Sequence, residues 1–171
     1  MRKRSGWALW LLASQLTVAA PLDELGRTPS AAELIEVDTD VMPDGTGLPA
    51  GSGTVADGQR VYQQYCVSCH GEQGRGGTHN VLVDPSGEHK TIANYWPYPT
   101  TIFDYIRRAM PYDRAGLLTD EEVYSVTAYL LFLSGLITDD VVLSADTLVA
   151  IEMPATHRFV RDDRRGGAEI R

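Results

Sequence analysis

The sequence predicts an all-α fold, with one small helical domain at residues 54–136 of the 171-residue chain. Residues 54–65 and 119–135 place apolar side chains at helical spacing behind a capping threonine. Between them, residues 71–99 are rich in glycine and proline and hold few apolar side chains, which favours a long loop. Helices joined by long loops indicate a small all-α domain.

The first helix is predicted to begin behind Thr54, which can cap the chain with Asp57 three residues later. Its apolar residues share one face with Gly58. A short helix is predicted to follow the loop with Thr101 as its cap, and Pro111 disfavours helical geometry at the preceding residue. This helix should therefore end at Met110.

The last helix has the strongest signals. Thr119 and Glu122 make a capping box, and Gly135 supplies a stop. Four apolar residues repeat at steps of three and four, so the helix is predicted to bury one face. They are Val123, Val126, Leu130 and Leu133.

The segments outside this domain are predicted to be an export signal and two arms. Residues 1–20 combine a basic start with a short apolar stretch and small residues, which is typical of a cleaved secretory signal peptide. Residues 21–53 are interpreted as an extended arm with one helical turn over "SAAELIE". Residues 137–171 are interpreted as a second arm and a disordered tail. The mature protein should be periplasmic and carry no membrane anchor.

The chain is acidic, with 15 Lys and Arg against 23 Asp and Glu. The predicted signal peptide holds three of the basic residues and none of the acidic ones, so its removal leaves a net charge of −11. Such a surface repels nucleic acid and anionic lipid and favours a basic protein partner. The same charge could serve only to keep an exported protein in solution.

Both cysteines and one of the four histidines lie in the stretch "CVSCH", as Cys66, Cys69 and His70. This spacing is that of a c-type haem attachment sequence, in which two thiols add to the haem vinyl groups and the adjacent imidazole ligates the iron. Three alternatives compete: a zinc site completed by His79 or His89, a thioredoxin-like redox pair, and a strained disulfide. None of these explains both thiols and the histidine together as well as haem does.

The residue opposite His70 on the iron is predicted to be Met110, 40 residues further along the chain. The alternatives are Met153, His79 or His89, or an open site. A methionine opposite a histidine raises the potential of the iron and closes its coordination sphere, which suits electron transfer.

The segment from Gly58 to Gly135 resembles a class I cytochrome c. In that fold the first and last helices cross closely, and the resemblance implies that Gly58 permits the approach while Tyr62 and Tyr129 pack at the crossing. The flanking stretches "VDTDVMPDGTGLPAGSGTVADG" and "VLSADTLVAIEMP" are similar to the SoxD-type cytochrome subunit of periplasmic sulfur and sulfite dehydrogenases, over about residues 28–163.

This second resemblance implies a molybdenum-cofactor dehydrogenase subunit as partner and a soluble cytochrome or another acceptor downstream. Met110 matches the axial methionine of the family. Trp96 and Tyr98 are possible contacts of the haem propionates, while Arg107 and Arg108 could meet propionates, a partner or solvent. Two functions stay open: the electron-accepting subunit of a dehydrogenase, and a free-standing carrier or subunit of another dehydrogenase.

Two further points remain expectations. The loop after His70 has Asn80 where the family would place a proline whose carbonyl braces the histidine, so Pro85 or a neighbouring backbone carbonyl is expected to do this. The arms at residues 21–53 and 136–160 are expected to lie along a dehydrogenase subunit, or else to wrap the surface of the cytochrome itself.

Overall fold

The computed structural model of the protein describes residues 26–160. The predicted signal peptide and the predicted disordered tail, residues 161–171, lie outside the described residues. The chain divides into two compact units, one ending at Val37 and the other beginning at Asp38. In residues 26–160, no helix has the length and apolar character needed to cross a membrane.

The first unit contains helix α1 (Ala31–Val37), where the sequence predicted a helical turn. The amide of Glu33 donates to the hydroxyl of Ser30, and the amide of Ser30 donates back to the Glu33 carboxylate at 2.9 Å. Arg27 pairs with the same carboxylate. These partners lower the pKa of Glu33 to about 2, so the start of the helix is held by a charged cap.

The second unit holds the other helices and confirms the predicted all-α class. They are α2 (Val55–Tyr65), α3 (Val67–His70), α4 (Ile92–Tyr95), α5 (Pro99–Ala109), α6 (Asp120–Leu133) and α7 (Ala145–Val149). Short 3-10 turns lie at Glu72–Gly74 and Thr156–Arg158.

The predicted caps of the two long helices are confirmed. The amide of Asp57 donates to the Thr54 hydroxyl at 3.1 Å, and the Thr119 amide donates to the Glu122 carboxylate at 2.9 Å. Helix α5 begins two residues before the predicted cap at Thr101, because Pro99 occupies its first turn and its fixed φ suits that position.

The structure also contains elements that the sequence did not predict. Strands β1 (Ser52–Thr54) and β2 (Val142–Ser144) pair antiparallel, with Gly53 opposite Leu143. Helix α4 lies inside the predicted loop, behind a capping box of Thr91 and Asn94. The small sheet joins the chain before α2 to the chain after α6.

Helices α2 and α6 cross at Gly58, as the resemblance implied. A Cβ at this position would lie 1.9 Å from the carbonyl oxygen of Ser125 and 2.8 Å from the Cβ of Tyr129. The rings of Tyr62 and Tyr129 pack beside the crossing, with centroids 5.4 Å apart. Only glycine allows two helices to approach this closely.

Helix α6 is buried on nearly every side, not on one face as predicted. All nine residues from Val123 to Leu131 are buried. The arms supply the additional cover, since Leu143, Leu148 and Met153 are at most 1% exposed and belong to the same core. Residues 38–54 and 141–156 are therefore part of the folded domain.

Candidate haem site

The motif at residues 66–70 forms a single helical turn that continues from α2. The amide of Cys66 donates to the Tyr62 carbonyl at 2.8 Å, and the amide of His70 donates to the Cys66 carbonyl at 2.9 Å. Residues three and four apart in a helix are neighbours on its surface. The turn therefore presents both thiols and the imidazole along one side.

The two cysteines lie in different surroundings and are not bonded to each other. Cys66 is half-buried at the edge of the core, and burial raises the pKa of its thiol to about 11. Cys69 is exposed. The structure thus does not support a disulfide between them. Within the described part of the chain, no three His, Cys, Asp or Glu side chains cluster to hold a metal ion, so a zinc site is not supported either.

The His70 ring is braced by the backbone carbonyl of Asn80, whose oxygen lies 3.2 Å from Nδ1. A proton on Nδ1 donates to this carbonyl and leaves Nε2 as the free ligand atom. Pro85 does not provide the brace. A carbonyl is the same acceptor on any residue, which explains how Asn80 can stand where a proline was expected.

Two glycines hold the loop after His70 against the motif. A Cβ on Gly71, whose φ is +75°, would lie 2.0 Å from the Arg75 carbonyl oxygen, and one on Gly77 would lie 2.2 Å from the Cys69 carbonyl oxygen. The His79 amide donates to the same Cys69 carbonyl at 3.0 Å. These contacts bring the Asn80 carbonyl within reach of the His70 ring.

Apart from Cys66, six apolar side chains between residues 65 and 110 pack on the core and yet keep a partly exposed side, a character that suits the lining of a site for a planar apolar cofactor. The half-buried side chains are Tyr65, Val67, Leu82, Ile92, Trp96 and Met110.

The two methionines considered as a sixth ligand, Met110 and Met153, differ in exposure. Met110 is half-buried at the end of α5, where its backbone becomes extended, and its amide still donates to the Ile106 carbonyl at 3.0 Å. Met153 is 1% exposed and enclosed by the core, as expected of a packing methionine.

The two candidate histidines are exposed and have protein partners. Nδ1 of His79 lies 3.1 Å from the Thr78 hydroxyl, and its ring lies beside that of His70 with centroids 6.1 Å apart. Nδ1 of His89 lies 2.9 Å from the Asp84 carboxylate, which also accepts from the His89 amide. His89 is thus bound within its own turn.

The predicted propionate contacts lie together before and beside α5. Trp96 is half-buried, and Tyr98 is 38% exposed. The Trp96 ring packs edge-on against Tyr105, with centroids 5.6 Å apart. Tyr105 was not among the residues predicted from the sequence for this site. It lies off the predicted buried face of α5, five residues before Met110.

Arg107 and Arg108 are engaged with carboxylates. Arg107 Nε donates to Asp120 at 2.9 Å, and Arg108 pairs with Asp104 and Asp40. The sequence left propionates, a partner or solvent open for these arginines; the contacts instead show ion pairs within the domain, a role that was not predicted.

A Cys-x-x-Cys-His turn with a braced histidine, in a helical domain whose first and last helices cross at a glycine, defines a class I c-type cytochrome. A family model described as cytochrome c oxidase, cbb3-type, subunit III matches residues 53–130. No curated protein matched the chain.

The chain is also similar to a chain in the crystal structure of the sulfane dehydrogenase SoxCD from Paracoccus pantotrophus. The two are 38% identical with a TM-score of 0.73, over 82% of this chain and 73% of that one. The protein belongs to the SoxD-type family of c-type cytochromes. It is an electron-transfer protein, and its cofactor is haem c, as predicted.

Proposed function

We propose that this cytochrome is the electron-accepting subunit of a periplasmic, molybdenum-dependent dehydrogenase that oxidises sulfite or another sulfur compound. The observation that carries the proposal is the 38% identity to a chain of a sulfane dehydrogenase complex. The match covers 82% of this chain. This is a larger number of residues than lie between positions 38 and 160, so the match extends beyond that segment.

The proposed ligand set follows from the site. Cys66 and Cys69 would hold the cofactor through two thioethers, and His70 Nε2 and the Met110 sulfur would ligate its iron. Haem c held in this way takes up and gives back one electron at a time. With both axial positions filled by the protein, oxygen or peroxide chemistry is disfavoured.

The chain's own residues tune and protect this site. The Asn80 carbonyl holds the His70 proton at Nδ1, which fixes the ring orientation and raises its basicity as a ligand. The apolar side chains around the motif exclude water. Because oxidation of a sulfur compound at the sulfite level releases two electrons, the dehydrogenase would have to pass them to this subunit in two successive one-electron steps.

Only part of the two arms is proposed to contact the dehydrogenase. Residues 38–54 and 141–156 fold against their own domain, so α1 is the arm segment proposed to meet the partner. On α1, Leu34, Ile35 and Val37 are 46%, 79% and 74% exposed. A helix with exposed apolar side chains and acidic neighbours suits an apolar groove with a basic rim.

Isolation of the native complex tests the proposal. The cytochrome is tagged in its own organism, purified from periplasmic extract, and analysed for molybdenum and for sulfite-dependent reduction of the haem. A molybdenum protein is expected to co-purify with the cytochrome. Adding sulfite or thiosulfate to this complex should reduce the haem. A lone monomer that sulfite does not reduce through any co-purified protein would support a free-standing carrier instead.

A matched pair of variants then tests the role of α1. Replacing Leu34, Ile35 and Val37 with serine should weaken co-purification, because the apolar contacts are lost. Replacing the exposed Val160 with serine is the control, since Val160 is 93% exposed and lies outside α1. Equal recovery of the partner by both variants would contradict a role for α1.

A further inference from the structure

We propose that Asp104, Arg107 and Arg108 are positioning residues that keep Met110 on the iron, by tying the end of α5 to the N-terminal arm and to the start of α6. The inference rests on the proposed ligand role of Met110. It goes beyond that role because it assigns the stability of the iron–sulfur bond to a cluster of side chains that do not touch the iron.

The first part of this clamp closes the loop that carries Met110. Arg107 Nε donates to the Asp120 carboxylate at 2.9 Å, so the ion pair joins two residues 13 positions apart on either side of the methionine. Both side chains are partly buried, with 24% and 34% exposed. Asp120 also lies in the first turn of α6, where the helix dipole favours its negative charge.

The second part ties α5 to the arm. The Asp104 carboxylate is 9% exposed. It accepts from the Val41 amide at 3.1 Å and from Arg108 Nε at 2.9 Å. Arg108 reaches on to Asp40 at 3.1 Å, and Arg107 Nη1 approaches the Thr39 carbonyl at 3.5 Å. A buried carboxylate with several donors is costly to disrupt, because the remaining groups are left unpaired.

The middle of the loop is exposed, although Pro111 is buried and Arg114 lies over the Tyr65 ring. Tyr112 is 89% exposed and Leu117 is 43% exposed, while Leu118 is buried just before α6. An open groove of about 540 Å³ is lined by Thr39, the two arginines and loop residues between Ala115 and Leu118. The ion pairs at this groove therefore help to hold the loop and the arm together.

The physical consequence is an opening equilibrium at Met110. If the loop opened, the Met110 sulfur would be withdrawn and an added ligand could bind the haem in its place. The apparent affinity of such a ligand is its intrinsic affinity multiplied by the fraction of the protein that is open. Weakening the clamp enlarges that fraction, so an external ligand should bind more tightly.

Imidazole titration of the ferric holoprotein measures this equilibrium. We expect Arg107→Gln to tighten imidazole binding by about threefold, the effect of losing a partly exposed ion pair. Asp104→Asn, which weakens the contacts to the Val41 amide and to Arg108, should tighten it by about tenfold or more. Asp120→Asn should tighten imidazole binding as much as Arg107→Gln does. The double variant should bind imidazole about as tightly as either single variant.

Arg60→Gln is the matched control, because it removes an Arg–Asp pair on the surface of α2 that is outside the clamp. It should leave imidazole affinity unchanged. Urea unfolding followed by circular dichroism separates local opening from loss of global stability. A lower global stability with unchanged imidazole affinity would overturn the inference, as would equal effects of Arg60→Gln and Arg107→Gln.

The same measurements distinguish a failure of the clamp from a failure of the proposed ligand role of Met110. If the wild-type ferric protein lacks the weak long-wavelength band of an iron–sulfur bond, the ligand role of Met110 fails and the clamp fails with it. If the band is present and imidazole affinity stays within twofold of wild type in every clamp variant, the clamp alone is refuted.

Discussion

The crossing of α2 and α6 at Gly58 makes a prediction that runs against helix propensity. In an open helix, replacing glycine with alanine adds about 1 kcal/mol of stability. At Gly58 the new Cβ would lie 1.9 Å from the Ser125 carbonyl oxygen, whereas real Cβ contacts essentially never fall under 3.0 Å. The two helices must therefore separate by about 1 Å.

That separation affects the core directly, because α2 packs on α6 through Val61 and Tyr62, which are at most 8% exposed. The overpacking cost is expected to be about 3 kcal/mol or more, since a whole helix has to move. Once the gain in helix propensity is subtracted from this overpacking cost, Gly58→Ala should lower the free energy of unfolding by at least about 2 kcal/mol.

Urea unfolding of the holoprotein, followed by circular dichroism, measures this value. Gln59→Ala is the control, because Gln59 is exposed on the same helix and should change stability by less than about 0.5 kcal/mol. Adding Ser125→Gly to Gly58→Ala should give no rescue, since the blocking atoms belong to the Ser125 backbone. A Gly58→Ala protein as stable as wild type would refute the close crossing.

Three smaller changes test other parts of the fold. Leu148→Ala should cost about 2–5 kcal/mol in urea unfolding, because Leu148 is fully buried; a negligible loss would mean that the C-terminal segment is not part of the core. Tyr124→Phe removes the hydroxyl that donates to the Pro49 carbonyl at 2.9 Å and should cost about 1 kcal/mol in the same assay; no loss would argue against this tie to the arm. Asn80→Ala should leave the midpoint potential unchanged in a redox titration, since the brace to His70 is a backbone carbonyl; a large drop would show that the side chain matters.

The features predicted correctly from the sequence are those set by neighbouring residues. The caps at Thr54 and Thr119 each use a partner three residues away, and the end of α5 at Met110 follows from the adjacent proline. The haem attachment motif likewise lies within five positions. Local chemistry of this kind can be recognised without knowing the fold.

The missed features depend on residues far apart in the chain. The hydrogen bond from Val41 to Asp104 spans 63 residues, and the one from Tyr124 to Pro49 spans 75. Strands β1 and β2 have three residues each, too few for a periodic pattern to appear. Helix α6 is buried all round because these distant segments cover it, and nothing in its own apolar spacing could indicate that cover.

The candidate site shows the same division. Cys66, Cys69 and His70 are predicted from their spacing, and Met110 is predicted from its position before a proline. The Asn80 brace could not be predicted, because a backbone carbonyl leaves no mark on residue type. The ion pairs of Arg107 and Arg108 were also out of reach, since an arginine that faces solvent and one that binds a distant carboxylate look alike in a sequence.

The central claim is that His70 and Met110 together make this cytochrome an electron-transfer site. It is tested most directly by comparing Met110→Leu with Met153→Leu, two substitutions of similar volume, in the ferric holoprotein. Met110→Leu should abolish the long-wavelength sulfur-to-iron band and lower the midpoint potential, while Met153→Leu should leave both unchanged. Retention of the band in Met110→Leu, or its loss in Met153→Leu, would contradict the account.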